Sequence, residues 1–303
     1  MVNLLHIHAM IEVTIFKGVF MMKIFISADI EGISGVATNQ QLKTPSEYQR
    51  FRKLMTADVN AAIEGAFNGG ATEVVVTDGH GNMSNILIED LDPRARLVSG
   101  NNRVMCQLEG LDDSFDGIMF VGHHGREGGS ERTVINHSLA GICVEEFKIN
   151  GKIVGETEMN AFVAGHFGVP AIFISGDDAY VSEVKETLPD VEAAVVKRGV
   201  DRLAAELIHP IKAQEIIREK AEKAVKKLHR FTPIKWDGDV TFEITFKGTN
   251  QALMTTTLPT VKLLSPKTIT FTCPDMVTAY KHMWGCVIIA MSATNGVLGS
   301  VNA

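Results

Sequence analysis

Lys23-Ile24-Phe25-Ile26-Ser27-Ala28-Asp29-Ile30-Glu31-Gly32 is the stretch from which the fold is read. Its first six residues form a short apolar run, β-branched and aromatic, that predicts a buried strand. Downstream, Thr44-Pro45-Ser46-Glu47 reads as a helix start, with threonine as N-cap, proline in the first position and glutamate closing a capping box. Val59, Ile63, Ala66 and Phe67 keep one apolar stripe until Gly69-Gly70 ends the helix. Val74-Val75-Val76 is then a second buried strand. A strand–helix–strand unit of this length predicts parallel pairing.

The alternation continues with a strand over 117–121, hairpin material over 133–135, 144–149 and 152–154 with a turn at Asn150-Gly151, a helix over 156–167, a strand over 171–175 and a helix over 181–188. A strand over 193–196 and a long amphipathic helix over 211–228 follow. After Pro233 the pattern changes to alternating strands at 240–246, 261–264 and 268–271, closed by a helix over 273–290. The expected fold is α/β: a mostly parallel central sheet flanked by helices, with a smaller C-terminal α+β subdomain. The expected parts are an N-terminal extension, 1–21, an α/β domain, 22–232, and the subdomain, 233–303.

A chain of 303 residues, 45% hydrophobic, can bury a large core without staples, so a metal in it would serve function rather than folding. With 36 acidic against 29 basic residues it offers no basic face for nucleic acid. The basic stretch 220–230 also holds Glu222 and reads as a solvated helix face. Cys106, Cys143, Cys273 and Cys286 are far apart, without zinc-ribbon spacing, and predict reduced cysteines in a cytoplasmic protein. The first 21 residues are broken by Glu12 and Lys17 and are expected neither to span a membrane nor to act as a signal. His6 and His8 form an incidental pair there.

Ligands of open parallel sheets bind beyond the carboxyl ends of the strands. There the sequence has Asp29-Ile30-Glu31-Gly32, Asp78-Gly79-His80-Gly81 and Gly122-His123-His124-Gly125. In an extended segment Asp29 and Glu31 point the same way. Two carboxylates so placed repel unless a cation or proton lies between them. With His80 and His124 they form an oxygen–nitrogen set without thiolate, suited to Zn²⁺ or to Mn²⁺ and Co²⁺ as substitutes. Each motif alone has a plainer reading, as caps, salt-bridge partners or loop histidines. Their convergence at three strand ends sets a metal site beside that plain reading.

The run from Met22 to Gly35 resembles the opening of the zinc D-aminopeptidases of peptidase family M55. So do Thr77-Asp78-Gly79-His80, Phe120-Val121-Gly122-His123-His124, Asn136-His137-Ser138, Val154-Gly155-Glu156-Thr157-Glu158-Met159-Asn160-Ala161, Gly176-Asp177-Asp178 and Ala193-Ala194-Val195-Val196-Lys197. The resemblance covers about residues 22–290; the first 21 residues and those after 292 have no counterpart in it. It implies a peptidase with two Zn²⁺ per subunit, held by Asp29, Glu31, His80, His124 and Glu156; the tighter position of Asp29 at the strand end makes it the expected bridging ligand. Its catalytic residue falls on His137, described in the family as a nucleophile; a general-base or transition-state role fits the position at least as well. Glu156 gains independent sense from opening the helix after Gly155. Glu158 and His123 are expected to be bystanders, and Asn160 to make a structural hydrogen bond.

The function so implied is removal of the N-terminal residue from short peptides of D configuration, such as D-Ala-D-Ala, by a cytoplasmic enzyme assembled as a homo-oligomeric ring, a decamer in the family. No nucleic acid or membrane partner is expected. The glycine-rich loop 124–130, where the family varies, leaves the substrate the least constrained expectation. Two alternatives are a dipeptide-binding protein without hydrolytic activity and a two-metal hydrolase acting on another amide or ester.

Overall fold

Adjacent residues of the first strand serve two different cores. In the computed structural model, which describes residues 21–294, β1 (Lys23–Ala28) sends Ile24, Ile26 and Ala28 to one side and Phe25 to the other, all fully buried. The same alternation holds in β2 (Glu73–Asp78) and β4 (Gly117–Val121), which flank β1 in parallel. A strand covered on both faces has no polar row, which is why these runs read as continuously apolar. With β3 (Ala95–Val98), β7 (Ala171–Asp177), β8 (Glu192–Asp201) and β9 (Ala204–Leu207) they form a seven-stranded sheet in the order β3-β2-β1-β4-β7-β8-β9. Only the edge strand β9 is antiparallel.

One face of this sheet is covered by α2 (Pro45–Gly69), which follows the short α1 (Asn39–Lys43), and by α5 (Pro210–Lys226). On the other lies a core running from Phe25 and Phe120 through Met159 and Phe162 of α3 (Glu156–His166) to Tyr280 of α7 (Met276–Ala293). It ends on a second, antiparallel sheet in the order β11-β12-β10-β5-β6. Its strands are β5 (Val144–Ile149), β6 (Lys152–Val154), β10 (Val240–Phe246), β11 (Lys262–Leu263) and β12 (Thr268–Cys273). In β10 the buried Val240, Phe242, Ile244 and Phe246 alternate with half-exposed residues, as a one-sided strand should. Two short helices, α4 (Asp178–Lys185) and α6 (Thr249–Thr255), complete the fold.

The α/β class is as the sequence predicts, and several details differ. β10 pairs with β5, so the expected boundary at 232 runs through the second sheet. Residues 133–135 form turns rather than a strand, with Ile135 at φ 50°. The Asn150-Gly151 turn does join a hairpin, both residues having positive φ. Thr44 makes no side-chain cap to α2; its hydroxyl instead accepts from Gln40, in the first turn of α1. All four cysteines are free. The His6/His8 pair lies outside the described residues, and among those described no helix is long and apolar enough to cross a membrane.

The chain leaves β1 toward β2 and β3 on one side and returns to β4, β7 and β8 on the other. The gap beyond β1 and β4 is therefore the topological switch point, where open α/β sheets bind ligands. The two strand ends interlock there: Asp29 N donates to Val121 O at 2.8 Å and Gly32 N to Gly122 O at 2.7 Å. A Cβ on Gly32 would collide with the His123 carbonyl. Gly32→Ala should accordingly cost about 1–3 kcal/mol of unfolding free energy, the usual penalty of overpacking. Denaturant melts would show it, and an unchanged midpoint would mean that the strand ends part freely.

Candidate metal centre

The interlock leaves two carboxylates facing into the switch point. Asp29 and Glu31 are 3% and 4% exposed. His80, two residues past β2, brings Nδ1 to 3.0 Å from Glu31 Oε2 and 3.4 Å from Asp29 Oδ1. His124, three residues past β4, brings Nε2 to 3.6 Å from Asp29 Oδ2 and 3.4 Å from Glu156 Oε1. Glu156 is the first residue of α3, where a helix start suits an anion. All five expected ligands thus converge, and His137 joins them with its ring stacked on His124 at 4.0 Å. Asp29, Glu31 and His80 offer one set of mutually close donors, and His124, His137 and Glu156 another.

Burial disfavours charge on Glu31, His80 and His124, but attraction to their neighbours outweighs it. Burial raises the Glu31 carboxyl, yet the imidazoles of His80, His137 and His124 bring it well below its ordinary value. Burial lowers the imidazoles of His80 and His124, yet the carboxylates lift His80 well above its ordinary value and His124 to about 9. A field that holds protons so firmly also holds cations. Glu31 Oε2 and His124 Nε2 are buried without a hydrogen-bond partner among the described residues, and both face the cluster. His124 Nδ1 donates to Gly125 O at 2.9 Å, which leaves Nε2 as the nitrogen with the lone pair.

The supporting contacts include residues that sequence reasoning passed over. Gln107, in a 3₁₀ turn, donates to Glu156 Oε2 at 2.7 Å and accepts from Asn160 at 2.7 Å. That gives Asn160 its structural hydrogen bond. The fully buried Lys197 donates to the carbonyls of Glu31, Ile33 and Val36 at 2.5, 3.1 and 2.8 Å. It gathers the loop that carries Glu31, and burial pushes its amine down to about 8. The only sequence signal was a charge ending a buried run. Of the two expected bystanders, Glu158 is buried, not solvated, and accepts from Gly155 N at 3.2 Å. His123 is fully buried, meets Ser27 Oγ at 3.3 Å, and has one nitrogen close to Asp29 and Glu156. It lines the cluster.

The strand-end loops, the histidines and the α3 start lie within the span that the D-aminopeptidase family, peptidase M55, matches: residues 22–285. The chain belongs to the M55 family of D-aminopeptidases. It is 36% identical over 272 residues to a D-aminopeptidase of Bacillus subtilis strain 168, across 89% of this chain and 98% of that protein. Its fold matches that of the solved Zn-dependent D-aminopeptidase DppA from Bacillus subtilis, described as a self-compartmentalizing protease. The TM-score is 0.85 at 35% identity, over 89% of this chain and 98% of that one. As an M55 member the chain is a hydrolase, an aminopeptidase.

One buried acid outside the cluster can be tested by pH. Asp58 of α2 accepts from Ser34 N and Oγ at 2.8 and 2.9 Å, and burial pushes its carboxyl up to about 6. Since the folded value lies above the ordinary one, the protonated form stabilises the fold. That contribution is complete below about 3.9 and is lost as pH rises through the folded value. Asp58→Asn, which keeps the shape, should flatten the decline in stability across this window; identical pH profiles for the two proteins would remove Asp58 as its source.

Proposed function

We propose that the chain is a two-zinc D-aminopeptidase that removes the N-terminal residue from short peptides, D-Ala-D-Ala among them. Asp29, Glu31, His80, His124 and Glu156 would hold the metal, and His137 would be catalytic. Asp29 carries the reading: its Oδ1 lies toward His80 and its Oδ2 toward His124, so one carboxylate stands between the two donor sets. One ion would draw on Glu31 and His80, the other on His124 and Glu156. The set fits zinc, being oxygen and imidazole nitrogen with two buried donors whose hydrogen bonds are unmade. The zinc dependence of the solved relative supports the same metal here. That relative's self-compartmentalizing character supports a homo-oligomeric ring enclosing the sites, which would admit only short peptides.

Zinc bound there supplies Lewis acidity and activates water at neutral pH. The protein side of the chemistry falls to His137. Its Nδ1 donates to the Ile135 carbonyl at 2.9 Å, so Nε2 keeps a lone pair that can accept a proton and return it to the leaving amine. Stacking on His124 holds this ring beside the cluster. Leu139 N and Gln107 Nε2, each at 2.7 Å, take one oxygen of Glu156 apiece and set its orientation.

Metal analysis of the purified protein should find about two zinc ions per chain, as a shared-carboxylate site requires. Asp29→Ala should lose the most metal, because its carboxylate serves both ions; full occupancy in that variant would sink the bridging assignment. Hydrolysis of D-Ala-D-Ala should outrun that of L-Ala-L-Ala, and binding without turnover would favour a peptide-binding role instead.

His137→Ala should keep zinc and melting temperature while kcat falls by roughly 10² to 10⁴. Loss of one ion in that variant would make His137 a ligand, the role its closeness to His124 and Glu156 also allows.

A further inference from the structure

His137 sits in a loop whose backbone is held in an unfavourable shape. Ile135 and Leu139, two residues to either side, both have φ of 50°. That left-handed region suits glycine, and a β-branched residue there is an outlier. Strain of this kind persists only where surrounding contacts over-determine it. Ile135 is also the residue whose carbonyl accepts from His137 Nδ1. Were its backbone to relax, that carbonyl would turn, and the imidazole would be free to carry its proton on either nitrogen.

Several residues bond to this loop, Asp177 to Val134 N and the Arg126 carbonyl to Asn136 Nδ2 among them, but the contacts on both sides of the Ile135 carbonyl come from Arg202, in the turn between β8 and β9. Its Nε donates to Asn136 Oδ1 at 2.9 Å and to Asn136 O at 3.3 Å, and its Nη2 to Asn136 O at 3.1 Å. Its own carbonyl accepts from Ile135 N at 2.8 Å. Arg202 thus grips the Ile135–Asn136 unit on both sides of the carbonyl that His137 uses. A guanidinium fork can span the amide oxygen and the backbone oxygen together, which a lysine ammonium cannot do in the same way.

We propose that Arg202 is a positioning residue for His137: by clamping Ile135–Asn136 it keeps the proton on Nδ1 and leaves Nε2 free to act. Arg202 touches neither the metal donors nor the reacting atoms. This inference rests on the catalytic reading of His137 given above, but its first test needs no substrate. ¹⁵N spectra of ring-labelled, zinc-loaded protein in alkaline buffer, with His137→Ala for assignment, should show the Nδ1–H form of His137 in the native chain. In Arg202→Ala they should show a mixture or the Nε2–H form.

Arg202→Ala should also lose roughly 10²-fold in kcat, the scale of a misplaced catalytic group, with KM and zinc content nearly unchanged. Arg202→Lys should recover little. Added guanidinium should restore part of the lost rate to Arg202→Ala, which a general loss of stability would not allow. Arg202→Gln serves if the alanine variant does not fold. An unaltered Nδ1–H tautomer in the variant would overturn the proposal, as would loss of zinc in step with kcat, which would place Arg202 in support of the metal cage. A native protein that hydrolyses no peptide would count against the peptidase reading alone, because the tautomer would still decide the role of Arg202.

Discussion

Three carboxylates, those of Asp29, Glu31 and Glu156, converge in a space nearly closed to water. Like charges so placed repel strongly at low dielectric, and each loses its hydration. Almost everything around them answers that constraint. His80 and His124 stand between the acids, Gln107 and Leu139 N bond to Glu156, and Lys197 draws in the carbonyls beneath the Glu31 loop. So unfavourable a concentration of negative charge is what a cation-binding centre would need. Buried groups of this kind mark functional sites more often than stabilising ones.

The sheet makes such a concentration possible by delivering its donors from separate strands. β1, β2 and β4 end side by side, so residues far apart in the chain arrive at one point with little freedom to move. Backbone bonds from Asp29 and Gly32 to the end of β4 tie two of these loops together before any side chain acts. Rigid strand ends suit a site in which donor positions matter at the scale of tenths of an ångström, whereas the loop over residues 133–139 has to be restrained by other means.

The strand-end donors were legible because apolar runs announce buried strands and parallel sheets place ligands after them. Asp29, Glu31, His80 and His124 could be read in that way without any relative. Glu156 had a weaker signal, a helix start after glycine, and His137 had none beyond the family resemblance. The contacts of Gln107 and Lys197 were illegible, since their partners lie 49 and 166 residues away and nothing local records such a pairing. The edge strands β3 and β9 escaped notice because they are short and partly exposed, which blurs the apolar pattern. The helix start at Thr44 was placed correctly for the wrong capping reason; the threonine hydroxyl bonds to Gln40 of α1 instead.

The pairing of β5 with β10 ties the centre to the order in which the chain is made. β5 and β6 lie between the His137 loop and Glu156, and a two-stranded hairpin is marginal by itself. Its outer partner, β10, begins only at Val240, and β12 beyond it runs to Cys273. Synthesis proceeds from the N-terminus, so Asp29, Glu31, His80 and His124 leave the ribosome well before the layer that steadies Glu156. The centre therefore depends on strands added long after its first donors, and a chain cut short of Val240 would lack the outer support of the hairpin that leads into Glu156.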